Sequence, residues 1–372
     1  MIYLDNAATG GFKPDCVISA VSAALVTAAN PGRSGHKLSL ACSERVYSAR
    51  KVLSDFFGGY GYERVVFTKN CTEALNIAIF SLPKDGKIIT TVAEHNSVLR
   101  PLERLKKDGA EIIYIPLNGD REVDIVKLEE AAHVGKPPCA AVITLASNVT
   151  GIAPDIERVK KVLPRDCILI CDGAQACGHI GIDMKALGID ALAVAGHKGM
   201  LGIQGSGALL FSERFDPQPL TFGGTGSESY NPDMPEFYPD RLESGTLNFP
   251  AIVSLAEGAM YLERHIMRHR TVTESLTAAT VEGLAECGAE IFSKPNPYGI
   301  VAFRLRNMQS EMAAFALSEE FGICVRGGLH CAPLMHRALF SDGLVRASFS
   351  AFTPPSAVDE LMAAVKKLSL RG

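Results

Sequence analysis

The chain has 372 residues, of which 47% are hydrophobic and 21% are charged. This composition supports a sizeable buried core and excludes a disordered or fibrous chain. Its 37 basic and 41 acidic residues give a formal net charge of -4, and no block of basic residues could neutralise a run of phosphates. We therefore expect no nucleic-acid partner.

The first apolar stretch, residues 16–29, is interrupted by serine and threonine and is shorter than the roughly 20 residues that a bilayer span needs. Asp5 and Asp15 precede it, where a secretory signal would carry basic residues. The Asn-Pro-Gly sequence at 30–32 is typical of a helix end. This stretch therefore predicts an amphipathic helix of a soluble protein with no membrane segment.

The ten cysteines are too sparse for a disulfide scaffold, and no C-x-x-C pair occurs among them. A reducing, cytoplasmic location is the simplest prediction. Cys167 and Cys171 lie in a strand-like run, where a free cysteine usually acts as a small buried hydrophobe.

Short runs rich in β-branched residues alternate with helical patterns, which predicts a mostly parallel sheet covered by helices on both faces. These runs are 64–68, 87–92, 111–115, 140–145, 167–171, 191–195 and 208–211.

The pattern changes in the last third of the chain. Residues 223–250 are rich in Gly, Pro, Ser and Asn, which predicts a long ordered loop that serves a site. A helical pattern at 250–270 follows, and then strand-like runs at 300–305, 323–326 and 344–349. We therefore expect a second, smaller α+β domain after about residue 255.

Polar residues that follow strands are the first candidates for a site, because ligands bind beyond the carboxyl ends of an open parallel sheet. Cys71 and Thr72 open a helix after the first run, and the amides at a helix start favour an anion; an ordinary cap by Thr72 is the alternative. His95 follows the second run and could stack on a flat ring or move protons, although a lone histidine is often plain surface.

Two further strand ends carry an acid and an amine. Asp172 follows the run at 167–171, and a buried carboxylate needs a cation, so a structural ion pair is the alternative to a site. Lys198 follows the run at 191–195. A lysine there needs a compensated charge or a lowered pKa, as Schiff-base chemistry requires, unless its head reaches solvent. We expect Asp172 and Lys198 to face one pocket.

These segments together resemble the class V aminotransferase family of pyridoxal-phosphate (PLP) enzymes, in its cysteine desulfurase and selenocysteine lyase branch. The resemblance extends from the Tyr-Leu-Asp-Asn-Ala-Ala sequence at 3–8 to the Arg-Ala-Ser sequence at 346–348. Its most specific parts are Asp-Gly-Ala-Gln at 172–175, Gly-His-Lys at 196–198 and Arg-Gly-Gly-Leu-His-Cys-Ala at 326–332.

The resemblance implies an α/β protein of PLP-dependent transferase fold type I. A segment at 1–12 would pack near the active site, and residues 13–255 would form the large, mostly parallel domain. Residues 256–372 would form a smaller α+β domain that carries the Cys331 loop.

The same resemblance assigns roles around the cofactor. Lys198 would bond to the PLP aldehyde and act as a catalytic residue, Asp172 would face the pyridine nitrogen, and Gln175 would bind the ring oxygen. His95 would stack on the ring and assist proton transfer.

The PLP phosphate would be held by Cys71, Thr72 and His197 of one subunit. Thr246 would reach it from the other subunit, which implies a homodimer. Ala195 departs from the family, since many desulfurases have a hydroxyl residue two before the His-Lys pair. We expect that departure to weaken cofactor retention without changing the chemistry.

The resemblance also assigns substrate and nucleophile. Asn148 and Arg346 match positions that handle the substrate, and a bidentate guanidinium suits its carboxylate. Arg326 is placed with them. Cys331 matches the desulfurase nucleophile and His330 precedes it; a merely buried cysteine in a small domain is the alternative reading of Cys331.

The predicted activity is therefore conversion of L-cysteine to L-alanine, with the sulfur held on Cys331 as a persulfide and passed to an acceptor, which could be a protein. Three alternatives stay open: a selenocysteine lyase, a class V aminotransferase or lyase acting on another amino acid, and a non-catalytic PLP-fold binding subunit. We expect no metal site, because no ligand doublets have zinc-finger spacing.

Overall fold

The structure is a computed structural model that describes residues 1–27 and 29–371. Its strands are β1 Ile2–Tyr3, β2 Val65–Thr68, β3 Lys87–Thr91, β4 Glu111–Ile115, β5 Ala140–Thr144, β6 Ile168–Asp172, β7 Ala191–Ala195, β8 Gly207–Phe211, β9 Glu290–Ile291, β10 Ile300–Arg304, β11 Ile323–Cys324 and β12 Val345–Ser348. Its helices are α1 Asp15–Val26, α2 Lys37–Phe56, α3 Cys71–Phe80, α4 Asn96–Lys107, α5 Ile125–His133, α6 Ile156–Val162, α7 Met184–Leu187, α8 Phe249–Glu286, α9 Ser310–Phe321, α10 Pro333–Ala338 and α11 Ser356–Ser369.

The central sheet has seven strands in the order β2-β8-β7-β6-β5-β3-β4. The neighbours from β7 to β4 pair in parallel, whereas β8 is antiparallel to both β7 and β2. Every residue of β3, β5 and β7 is buried, as expected for strands that helices cover on both faces. All seven predicted strands of this sheet are confirmed, with ends that shift by no more than one residue.

A smaller antiparallel sheet, β12-β10-β9, lies in the last part of the chain. Its hydrophobic core is separate from those of the central sheet and includes Leu276, Val301, Leu317 and Leu361. The strands predicted at 300–305 and 344–349 are confirmed, but only two residues of 323–326 form a strand.

Helix α8 joins the two sheets and is longer than predicted. It has 38 residues, because no proline follows Pro250 inside it and the chain first adopts a left-handed conformation at Gly288, where φ is 70°. The predicted boundary near residue 255 falls inside α8. The division into domains therefore stays a prediction.

The N-terminal segment crosses between the sheets. Strand β1 pairs in parallel with β11, with Ile2 opposite Ile323, and Asp5 forms a bridge with Ser348. Helix α1 occupies most of the helix predicted at 16–29 and ends at Val26; Ala28 lies outside the described residues. Across 1–27 and 29–371, no helix combines the length and apolar character needed to cross a bilayer.

Residues 212–248 connect β8 to α8 without a helix or strand, which agrees with the predicted loop. Buried Glu243 attaches this loop to α2 and β2. Its Oε1 accepts hydrogen bonds from Arg50 Nη1 of α2 at 2.8 Å and from the Phe67 amide of β2 at 2.6 Å.

Candidate active site

A cavity of about 230 Å³ lies where the carboxyl ends of the parallel strands meet, at the sheet edge where ligands bind in open α/β folds. Most of the predicted site residues line it. These are Cys71, Thr72, His95, Asn148, Asp172, Gln175, His197, Lys198, Arg326 and Arg346. Ala195 and His330 line it as well.

Lys198 enters the cavity from the turn after β7. That turn needs glycine at 196, because a Cβ there would lie 2.1 Å from Ser206 Oγ. Burial lowers the pKa of the Lys198 ammonium below its ordinary value, and the Asp172 carboxylate nearby partly offsets this effect. The amine is therefore more readily available in its neutral, nucleophilic form than an exposed lysine would be.

Asp172, the last residue of β6, is 3% exposed. Its Oδ1 accepts hydrogen bonds from the Ala174 amide at 2.9 Å and from the Cys71 thiol at 3.4 Å. Burial, followed by the charge of Asp172, raises the pKa of the Cys71 thiol well above its ordinary value, so the thiol keeps the proton that it donates. We expected this thiol to face a phosphate; it contacts the carboxylate instead.

His95 is the N-cap of α4, and its Nδ1 accepts from the Ser97 amide at 3.0 Å. Because an amide can only donate, the proton of the neutral ring is on Nε2. Burial lowers the pKa of His95 to about 4, so the ring is neutral near pH 7. Only Nε2 is then free to exchange a proton with a ligand.

The start of α3 presents amide and hydroxyl donors to the cavity. Asn70 caps the helix through Oδ1, which accepts from the Glu73 amide at 2.9 Å; the alternative that Thr72 is the cap is wrong. Thr72 Oγ1 lies 2.8 Å from Ser97 Oγ. His197, which also lines the cavity, has its Nδ1 3.1 Å from Thr9 Oγ1.

Thr246 does not line the Lys198 cavity of its own chain. It faces a different cavity, with Lys69 and Ser244, and Asn30 Nδ2 lies 3.5 Å from its Oγ1. A role for Thr246 beside Lys198 would therefore require a second copy of the chain.

Arg346 is 1% exposed and is held by two partners. Its Nη2 donates to Asp5 Oδ1 at 2.8 Å, and its Nη1 donates to the Asn148 carbonyl at 2.9 Å. Its buried Nε has no hydrogen-bond partner in the described part of the chain. Asp5 was missed in the sequence, where the only signal was its place in the N-terminal motif.

Two more cavity residues make contacts that the sequence did not predict. The Asn148 side chain donates through Nδ2 to the His330 carbonyl at 2.7 Å, while its Oδ1 is buried and has no partner within the described residues. Gln175 donates through Nε2 to the Ala7 carbonyl at 3.1 Å.

Cys331 does not itself line this cavity; it directly follows His330, which does. Cys331 is exposed, so the reading of it as a merely buried cysteine is wrong. His330 Nε2 lies 3.0 Å from the Leu344 carbonyl and must donate to it, which leaves Nδ1 as an acceptor. Burial, with the charge of Arg346, lowers the pKa of His330 to about 2. The His330 ring is therefore neutral near pH 7.

The donor set fits PLP. A buried amine and a buried carboxylate share one cavity with a neutral imidazole and the start of a helix. The amine matches the aldehyde of PLP and the carboxylate its ring nitrogen. The imidazole matches the ring face, and the helix start matches the phosphate. The partnerless Arg346 Nε and Asn148 Oδ1 are free for a further polar ligand.

This fold and this donor set define a chain of the PLP-dependent fold type I class. The family model for aminotransferase class-V matches residues 2–361. The chain therefore belongs to the aminotransferase class-V family, which confirms the family predicted from its motifs.

Among the relatives and solved structures similar to this chain are several cysteine desulfurases. A probable cysteine desulfurase of Pyrococcus abyssi is 32% identical, with 99% of this chain and 94% of the relative covered. An apo structure of cysteine desulfurase from Thermococcus onnurineus NA1 has a TM-score of 0.89 and 30% identity, and covers 99% of this chain and 94% of that one. The cysteine desulfurase CsdA of Escherichia coli has a TM-score of 0.84 and 27% identity, with 98% and 94% covered. The predicted fold is confirmed.

Proposed function

We propose that the chain is a PLP-dependent cysteine desulfurase that converts L-cysteine to L-alanine and receives the sulfur on Cys331 as a persulfide. The observation that carries this proposal is that His330, the residue before Cys331, lines the same cavity as Lys198 and Arg346. The names of the relatives support the same activity.

PLP would be held by Lys198 through a covalent bond, by Asp172 at the ring nitrogen and by His95 at the ring face. Gln175 would bind the ring oxygen, and the start of α3 with His197 would bind the phosphate. When bound, the cofactor supplies an electron-accepting ring that stabilises negative charge at the substrate Cα.

The polar residues beyond the ring bind and orient the amino acid. Arg346 and Asn148 are positioned for the substrate carboxylate, and the free Arg346 Nε offers a donor that its two internal partners leave unused. Arg326 lines the same wall. Lys198, whose pKa is lowered by burial, would accept the substrate Cα proton at its Nζ.

Cys331 completes the reaction by attacking the sulfur of the substrate. A bond forms between Cys331 Sγ and that sulfur while the substrate Cβ–S bond breaks, and its electron pair stays on the carbon, which becomes the methyl group of alanine after protonation. Cysteine and the enzyme thiol thus give alanine and an enzyme persulfide. The thiolate is the attacking form.

The site is completed by a second copy of the chain in this proposal. Thr246 lies outside its own Lys198 cavity, so it would serve the cavity of a partner in a homodimer. The ten cysteines are all unpaired, which supports a reducing cytoplasmic location. A downstream thiol or protein would accept the persulfide sulfur.

The test is to incubate the purified protein with PLP and L-cysteine and to assay alanine and sulfide together in the presence of a reducing thiol. We expect equal amounts of both, and Cys331→Ala should keep the visible absorption of the bound cofactor but lose sulfide release. Formation of a keto acid without alanine, or unchanged turnover by Cys331→Ala, would contradict the proposal.

A further inference from the structure

Hydrogen bonds fix the backbone of the Cys331 loop, residues 327–332, both at its base and at its tip. At its base, the Gly328 amide donates to the Leu344 carbonyl at 3.1 Å and the Leu344 amide donates back at 3.2 Å. His330 Nε2 bonds to the same Leu344 carbonyl. The base of the loop is therefore joined to the chain that leads into β12.

The tip of the loop is fixed by hydrogen bonds to two other segments of the chain. The amide of Asn96, the first residue of α4, donates to the Cys331 carbonyl at 2.7 Å. The Asn148 side chain donates to the His330 carbonyl at 2.7 Å. Two consecutive carbonyls of the loop thus bond to two separate segments that follow β3 and β5.

These bonds act on an unfavourable backbone. His330 and Cys331 have φ values of 50° and 58°, in the left-handed region that costs a residue with a Cβ about 1 kcal/mol or more. Two such residues in succession persist only where surrounding contacts hold them. The Cys331 side chain is exposed, so main-chain contacts rather than side-chain packing determine its position.

We propose that the Asn96 amide and the Asn148 side chain form a two-point anchor that holds the tip of the Cys331 loop beside the Lys198 cavity, which makes Asn96 a positioning residue for sulfur transfer. This inference rests on the proposed desulfurase function. It concerns a main-chain donor, so the identity of the Asn96 side chain is not what matters.

The anchor matters because attack on the substrate sulfur requires the two sulfur atoms to approach within a narrow range of distance and angle, and a displacement of about 1 Å can cost about 10²-fold in rate. Removal of Cα protons by Lys198 does not involve Cys331. Loss of the anchor should therefore slow sulfur transfer far more than proton removal.

Proline at position 96 tests the main-chain donor apart from the Asn96 side chain. Asn96→Pro removes the amide hydrogen and places a ring carbon where that hydrogen was, so the bond to Cys331 cannot form. Proline is well tolerated as the first residue of a helix, and His95, with φ −75° and ψ 157°, already has the conformation that a residue before proline prefers. Asn96→Ala is the matched control, because it loses the side chain and keeps the amide.

The first readout is hydrogen exchange in the protein with PLP bound and no substrate. The amides of Gly328 and Ala332 report on the loop, since they bond to the carbonyls of Leu344 and Leu329. We expect faster exchange of both in Asn96→Pro and wild-type rates in Asn96→Ala, with helix α11 unchanged in both. Asn148→Asp, which replaces the donor to His330 with an oxygen, should also accelerate exchange and serves if Asn96→Pro does not fold.

The second readout compares two rates in the same samples. Alanine formation from L-cysteine should fall about tenfold or more in Asn96→Pro, whereas exchange of the Cα hydrogen of L-alanine in D₂O should change by no more than about twofold. Wild-type hydrogen exchange in the loop of both Asn96→Pro and Asn148→Asp, or an equal fall of both rates, would overturn the anchor. Absence of alanine formation by the wild type would instead overturn the proposed function, and hydrogen exchange would still test the anchor.

Discussion

Lys198 and Asp172 are the residues on which the proposed chemistry of this chain depends. They come from the ends of neighbouring strands, β7 and β6, and line one cavity, as the sequence predicted. Burial lowers the pKa of Lys198, which is the property a lysine needs in order to bond to an aldehyde near neutral pH.

Lys198→Ala should abolish covalent attachment of PLP. After borohydride reduction and denaturation, the intact mass of the wild type should keep the added cofactor, and that of Lys198→Ala should not. Lys13 is the matched control, because burial lowers its pKa to about 8 and it lies beside the His197 carbonyl. Added cofactor mass on Lys198→Ala, or its absence from Lys13→Ala, would show that the wrong amine was assigned.

His95, Asp172 and Lys198 were predicted as candidates because polar residues follow strand ends there, and the structure brings all three into one cavity. Asp5 and Asn96 could not be predicted, because their roles depend on contacts between distant parts of the chain. Cys71 was assigned to the site, but the direction of its thiol depends on the rotamer that places it against Asp172, which sequence does not fix.

At the scale of elements, the loop at 212–248 is joined to helix α2 by a buried ion pair between Arg50 and Glu243. Arg50→Ala would leave the buried Glu243 carboxylate without its cation, and we expect a loss of about 3–5 kcal/mol in the free energy of unfolding. Urea denaturation measures this loss.

The control for that change is Arg371→Ala, which breaks the exposed pair with Glu320 and should leave the denaturation midpoint almost unchanged. Equal midpoints for Arg50→Ala and the wild type would mean that the loop is held by other contacts.

The seven main strands could be predicted because each is a short run of mainly apolar or β-branched residues, and β2, β3, β5, β7 and β8 are buried along their whole length. Strands β1, β9 and β11 have two residues each, too few for a periodic pattern to register. The pairing of β1 with β11 joins residues more than 300 positions apart, and it arises only from tertiary packing.

At the scale of the whole molecule, buried neutral histidines make stability depend on pH. Burial, with the charges of His265 and Arg268, lowers the pKa of His269 to about 4, below the ordinary value of about 6.5. The unfolded chain then binds more protons between these two values, so the free energy of unfolding falls as the pH falls from about 6.5 to about 4.

His269→Gln should therefore weaken the dependence of the unfolding free energy on pH in that window, whereas replacement of the exposed His133 by Gln should leave it as in the wild type. Thermal or urea unfolding at several pH values measures both. The same pH dependence in His269→Gln and the wild type would contradict the assignment.

A dimer that shares its sites can be tested by complementation. A chain with Lys198→Ala and a chain with Thr246→Ala should each form dimers with little activity. A mixed dimer would have one site with Lys198 from one copy and Thr246 from the other. Random pairing of equal amounts of the two chains makes about half of the dimers mixed, so refolding them together should restore about a quarter of the wild-type activity. No gain on mixing would place Thr246 outside the partner's site.

The most direct test of the account is one turnover of the PLP-loaded protein with a limiting amount of L-cysteine, without any reducing thiol. We predict one alanine for each added sulfur on the peptide that contains Cys331, measured by mass spectrometry. Alanine without that added sulfur, or sulfur found on another cysteine, would contradict the account.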